Sequence, residues 1–322
     1  MPTPSASAVA VAMPTSRLAP DPPRTWRAYL ELTKPGITRL VVITTAVGFG
    51  LAALESTGAP LSLALTGLLC LIGTALCSSS ANALNQVWEW RRDALMPRTC
   101  ARPVPTERIA PRAALVFGLV CGVTGVALLT LTVTGAAGLA ALATIVVYVL
   151  VYTPMKVVST TSTIVGAIPG ALPPVIGYAA VGGFPALATP APWSLFAIMF
   201  LWQIPHFLAI AWMHRDGYAR GGFRVLPLVD PDGRRTARAS LGWLLALVPI
   251  SLTPLLTMPD RAGWPYALAA IALGVFFIRP AIRFLRARDH ATARGLFLAS
   301  IAYLPLILLA LVADAIRAVW LG

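Results

Sequence analysis

Charge is scarce in this chain, and acid scarcer than base. Among 322 residues there are 12 Asp and Glu against 25 Lys and Arg, and charged residues reach only 11%. Soluble globular proteins carry about 25% charged residues, so this shortage excludes an ordinary water-soluble domain. Histidine and cysteine are few as well, with 3 and 4 residues, and no His/Cys spacing suggests a zinc site. Cys70, Cys77 and Cys121 fall in apolar stretches and Cys100 in a polar one, which argues against a disulfide framework. Residues 1–25 contain no apolar run followed by a plausible cleavage site. Their Pro, Ala and Ser content reads as a disordered cytoplasmic tail ahead of a membrane domain over 26–322.

What the chain has in abundance is apolar sequence: 57% hydrophobic residues and a mean hydropathy of +0.78. Apolar segments near bilayer-crossing length lie at 37–54, 62–84, 114–131, 139–153, 163–180, 193–213, 240–257, 264–282 and 295–315. The expected fold is therefore an all-α polytopic membrane protein with nine transmembrane helices. The net charge of +13 would suit nucleic acid, but its placement along the chain points elsewhere. When the basic residues are sorted by the loops between segments, 23 fall on one side and only Arg261 and Arg317 on the other. By the positive-inside rule the N-terminus is cytoplasmic and the C-terminus outside, as in a multi-pass protein of the cell (inner) membrane. No nucleic-acid partner is expected.

The most informative stretch is NQVWEWRRDALMPRTCARP, residues 85–103, directly behind the second apolar segment. Asn85, Glu89 and Asp93 are spaced i, i+4, i+8, so on a helix their oxygens share one stripe. Such a stripe suits Mg²⁺, a hard cation that takes oxygen ligands, keeps several waters and is usually shared with substrate phosphates. Arg98 and Arg102 lie close enough along the chain to hold those phosphates bidentately. The bland alternative is that Arg91 and Arg92 anchor the topology and the two acids merely pair with them.

Two further cytoplasmic stretches repeat the pattern. VYTPMKVVSTTS offers Lys156 as a point charge for a diphosphate, or as a snorkelling lysine. FLWQIPHFLAIAWMHRDGYARGGF supplies His206, Arg215, Asp216 and Tyr218. Asp216 is a second acid leaving a helix on the same face as the first cluster. If the bundle closes as a ring, the two acid clusters would face each other and could clamp two Mg²⁺ ions on one diphosphate. Charge building on a departing pyrophosphate would be stabilised there in a water-poor cavity. His206, just after Pro205, either contacts an acceptor, binds an iron porphyrin axially, or hydrogen-bonds between helices with Gln203. The outer loops around 132–138 and 181–192 contain no charged residue, which places the active face on the cytoplasmic side.

At ALNQVWEWRRDALMPRTCARPVP, YTPMKVVSTTSTIVGAIPGALPPVIGY and WQIPHFLAIAWMHRDGYARGGF the chain resembles the UbiA superfamily of intramembrane prenyltransferases. WQIPHF and GALPPVIGY resemble its haem-farnesylating branch. The resemblance implies nine helices ringed around a central cavity. It implies transfer from farnesyl diphosphate to haem B, with water, giving haem O and pyrophosphate, a product for the next enzyme of haem A synthesis. It carries Mg²⁺ sites onto Asn85, Glu89, Asp93 and Asp216, diphosphate contacts onto Arg98, Arg102 and Lys156, and acceptor-side positions onto Tyr152 and His206. Departures are Glu89 for a more usual Asp, Val157 after the lysine, Ser162 for an Asn, and Gly217 where a second acid is usual. Rival readings are a relative that prenylates an aromatic quinone precursor or chlorin, a non-catalytic haem-handling protein that lost the second metal site, and a pore. Acids and bases confined to one face argue against the pore.

Overall fold

A computed structural model describes residues 25–321, so all of the expected tail except Thr25 lies outside the described residues. Thr25 opens a short helix, α1 (Thr25–Leu32), that packs Ala28 and Leu32 inward. Among the described residues nine helices are long and apolar enough to cross a membrane: α2 (Pro35–Ala53), α3 (Pro60–Asp93), α4 (Pro111–Val133), α5 (Gly135–Met155), α6 (Ser162–Leu187), α7 (Pro190–Met213), α9 (Arg234–Thr257), α10 (Trp264–Ala287) and α11 (His290–Trp320). A six-residue helix, α8 (Arg215–Arg220), sits between α7 and α9. The all-α expectation and its nine spans are borne out.

Consecutive spans pack side by side from α2 round to α11, and α11 closes against α2. Among the described residues, cross-contacts of α2 against α6, α7 against α11, and α3 against α5 and α6 tie the ring together. The burial pattern is that of a bundle in lipid. In α6 and α7, 72% and 61% of the apolar window is buried, whereas in α2, α4, α5, α9 and α10 it is 28%. Large apolar side chains such as Leu131, Leu256 and Val123 point outward, as they should where lipid replaces water. The main core fills the second half of the ring around Trp202, Tyr266, Phe277, Phe284 and Tyr303.

The α2–α6 crossing depends on missing side chains. A Cβ on Gly48 would fall on the Pro174 carbonyl, and one on Gly177 would fall on the Thr45 carbonyl and the Phe49 amide. Without a hydrophobic drive between helices in lipid, such close backbone approach is how they gain packing. Pro173 and Pro174, which break α6 after Leu172, bring that carbonyl to the contact.

The span expected at 62–84 continues as a helix to Asp93. Asn85, Glu89 and Asp93 therefore lie on one unbroken helix, all buried. Hydropathy could not see this extension because its polar residues look like loop.

Gly48→Leu is expected to destabilise the protein by about 3 kcal/mol, read as a lower thermal midpoint in detergent. An unchanged midpoint would show that the crossing is not close.

Candidate active site

Three cations meet the three oxygens-bearing residues of the α3 stripe one to one. Lys34 Nζ donates to Asn85 Oδ1 at 3.0 Å. Lys156 Nζ lies 2.9 Å from Glu89 Oε1 and donates to Oε2 at 3.1 Å. Arg102 Nη1 donates to Asp93 Oδ2 at 2.7 Å. Asn85, Glu89 and Asp93 are 1%, 4% and 0% exposed, so neither carboxylate can rely on water. Removing either partner of such a pair strands the other.

Local structure places each cation. Lys34 occupies the left-handed region at φ 50°, ψ 72°, a conformation worth roughly 1–3 kcal/mol of strain for a non-glycine residue. The strain is held by α3: Gln86 Nε2 donates to Leu32 O at 2.8 Å and Asn82 Nδ2 to Thr33 O at 3.1 Å. Burial, followed by the neighbouring charges of Arg102 and Lys156, lowers the Lys34 ammonium to about 7. For Lys156, burial works against the charge, but Glu89 outweighs it and the ammonium is raised above its usual value. Lys156 also lies over the Tyr152 ring, 4.5 Å from its centroid. A π-helical turn over Val147–Tyr152 brings Tyr152 and then Thr153 to this point.

The cap over the stripe comes from two loops. Thr99 Oγ1 donates to the Asp93 carbonyl at 2.9 Å, Arg92 Nη1 to Gly221 O at 3.0 Å, and Arg224 N to Lys156 O at 2.7 Å. Arg98 Nη2 donates to Tyr218 Oη at 3.2 Å. These two residues, with Met96, His214, Asp216 and Arg220, line a neighbouring cavity of about 180 Å³. At its rim, burial and then Arg98 and His290 lower the His214 imidazole.

The structure thus gathers Asn85, Glu89, Asp93, Arg102, Tyr152 and Lys156 in one cluster. It gathers Arg98, Asp216 and Tyr218 in the adjoining cavity. Asp216 does not join the buried carboxylates: its side chain is 90% exposed, and its nearest cation is Arg215 Nε at 4.0 Å. Arg215 instead lies over Trp212. His206 is farther along α7. Its Nδ1 is 2.7 Å from Ser300 Oγ, and its ring stacks between Trp202 and Phe297. Ser300 commits its proton to Phe297 O, so His206 donates from Nδ1 and keeps the Nε2 lone pair. Gln203 is no partner of His206; it donates to Ala167 O and Met199 O. Sequence reasoning missed Lys34, Thr153 and Ser300 as members of these networks.

The donors fit a hard cation. Among the described residues no three Asp, Glu, His or Cys side chains group as metal ligands. Two carboxylates and an amide oxygen are what the stripe provides, and Asp93 Oδ1 is buried with no hydrogen-bond partner. A half-furnished oxygen set suits Mg²⁺, which completes its shell with water and phosphate. Three cations around two carboxylates also leave a positive surplus, which favours a polyanion.

A ring of membrane-spanning helices with a polar, cation-rich site sunk into one end defines a polytopic membrane protein built to handle a small anionic group within the bilayer boundary. The model of the UbiA prenyltransferase family matches residues 41–307, and the chain belongs to that family. It is 43% identical to "Protoheme IX farnesyltransferase" of Solibacter usitatus over 87% of this chain and 96% of that protein. Its fold is similar to a solved structure of digeranylgeranylglyceryl phosphate synthase, with TM-score 0.73, 17% identity, and coverage of 91% of this chain and 99% of that one. It is also similar to a UbiA homologue from Archaeoglobus fulgidus bound to GPP and Mg²⁺, with TM-score 0.60, 16% identity, and coverage of 89% and 99%.

Lys156→Met is expected to destabilise the protein by about 3 kcal/mol, because Glu89 is left buried and unpaired. Adding Glu89→Gln should recover most of the loss in a thermal melt. A single-mutant loss below about 1 kcal/mol would mean the pair is effectively solvated.

Proposed function

We propose that this chain transfers the farnesyl group of farnesyl diphosphate to haem B, giving haem O and pyrophosphate. The observation that carries the reading is the buried stripe of Asn85, Glu89 and Asp93 enclosed by Lys34, Lys156 and Arg102. The acceptor is inferred from the Solibacter relative, which matches over nearly the whole of both chains.

In this reading Asn85, Glu89 and Asp93 would hold Mg²⁺, and Asp216, exposed at the neighbouring cavity, would be the carboxylate available to a second ion there. Mg²⁺ held there would supply positive charge to the leaving diphosphate. Lys156 and Arg102 exchange their carboxylate partners for phosphate oxygens, and Arg98 adds a bidentate contact from the neighbouring cavity. As the allylic C–O bond breaks, these cations take up the negative charge that collects on pyrophosphate. Tyr152, beneath Lys156, offers its ring face toward developing positive charge on the allylic carbon. That carbon then bonds to the terminal carbon of a porphyrin vinyl group, consuming its π bond, and water adds to the cation left on the adjacent carbon, giving the hydroxyl and releasing one proton. Tyr218, which accepts from Arg98, and Arg215 are further candidates for contacting the substrate. His206, whose Nε2 keeps its lone pair, would be the acceptor-side residue able to ligate the haem iron.

The membrane setting follows from both substrates, since an isoprenoid tail and a porphyrin partition into lipid. With the basic loops inside, the site opens at the cytoplasmic face of the cell membrane and the C-terminus lies outside. Residues 26–322 form the catalytic membrane domain. Haem O released sideways into the bilayer would be available to the next enzyme of haem A synthesis.

Purified protein given haem B, farnesyl diphosphate and Mg²⁺ should form haem O, detected by mass, and removing divalent ions should abolish it. Asp93→Asn should lower turnover per folded molecule about 100-fold or more, with a lower thermal midpoint because Arg102 loses its carboxylate partner. Near-normal turnover would remove the stripe from the mechanism. Alkylation of a phenolic acceptor with haem B untouched would favour the aromatic rival.

A further inference from the structure

The Asn85 amide is held by two neighbours that leave it no choice of orientation. As an ammonium Lys34 has only protons to offer, so the atom it meets at 3.0 Å is then the amide oxygen. On the other side the amide nitrogen lies 3.2 Å from Thr153 Oγ1. That hydroxyl has a single proton, and it is committed to the Tyr148 carbonyl at 2.8 Å. Thr153 can therefore only accept from Asn85. Two independent constraints agree on the same face of the amide, in a place where both residues are 1% exposed and no water can substitute.

The Tyr148 carbonyl is positioned for this by the π-helical turn over Val147–Tyr152. The wider turn sends the Thr153 amide to Tyr148 as well, so one carbonyl receives both the backbone and the side-chain proton of Thr153. A regular α-helical turn would direct that amide to a different carbonyl.

We propose that Thr153 is a positioning residue for cation binding: its hydroxyl, locked by the π turn, keeps the Asn85 amide oxygen turned into the site. The inference rests on the proposed function in taking Asn85 as a Mg²⁺ ligand. Once Lys34 turns from Asn85 toward the phosphates of a bound substrate, the Thr153 hydroxyl is the hold that remains, and without it the amide can turn over and present its NH₂ group, which cannot ligate a metal. Outer-shell partners of this kind typically contribute 10–100-fold to metal affinity.

The test is the binding of Mn²⁺, as a spin-active substitute for Mg²⁺, to purified protein saturated with a non-ionisable farnesyl diphosphate analogue. Thr153→Val, which keeps the shape and removes the hydroxyl, should weaken Mn²⁺ about 10-fold or more with an unchanged thermal midpoint. Thr153→Ser should restore it. In an Asn85→Asp background, where both side-chain atoms are oxygens, Thr153→Val should have little further effect. If Thr153→Val does not accumulate, Thr153→Ala is read in the same cycle. Equal weakening in both backgrounds would reveal a packing defect and overturn the proposal, as would wild-type affinity in Thr153→Val. If the wild-type protein binds the analogue without any divalent-ion dependence, the metal reading fails first and this inference falls with it.

Discussion

Two carboxylates buried at the end of a membrane helix cannot stay charged alone, and the architecture around Glu89 and Asp93 follows from that constraint. Lys156 and Arg102 reach them from different loops. Because each carboxylate needs a partner from elsewhere in the chain, the pairing ties α3 to the end of α5 and folds the 94–102 loop back over the helix. Lys34 adds a third tie through Asn85, and burial, followed by the charges of Arg102 and Lys156, lowers its ammonium to about 7. The same ion pairs that hold the cap together are the ones a diphosphate and its cation would exchange into. Stability and binding therefore draw on one set of contacts.

That shared set explains otherwise odd local structure. The left-handed backbone at Lys34 is strained, yet Gln86 and Asn82 fix it from α3, so a polar face of a membrane helix serves to aim one lysine. The π turn before Thr153 gives up regular α-helical bonding and gains a carbonyl placed for the Thr153 hydroxyl. Farther along α7, Trp202, Phe297 and Ser300 hold His206 in a single orientation. Lys34 and His206 are oriented by neighbours on another helix, whereas Thr153 is held by a carbonyl of its own.

The spans were legible because lipid demands long apolar runs, and hydropathy reads those directly. The Asn85, Glu89, Asp93 stripe was legible because i, i+4 spacing fixes a shared face whatever the tertiary structure. The end of α3 was not, since a polar helix buried against loops has the composition of a loop. Lys34 and Thr153 carried no signal by themselves: a lysine before Pro35 reads as a topology anchor, and a threonine within YTPMK is obscured by the residues beside it. Their roles arise from contacts across 51 and 68 positions of sequence. Asp216 shows the converse. Its position mirrors the first cluster in the sequence pattern, but the short α8 turn leaves it exposed at the neighbouring cavity.

The central claim is that the α3 stripe holds a divalent cation over the diphosphate of a prenyl substrate. Anomalous diffraction from crystals grown with Mn²⁺ and a non-ionisable farnesyl diphosphate analogue tests it most directly. The account predicts a manganese peak within coordination distance of Asn85, Glu89 and Asp93, with Lys34, Lys156 and Arg102 displaced toward the phosphates. A peak elsewhere, or an analogue bound while all three ion contacts of the stripe remain closed, would contradict it.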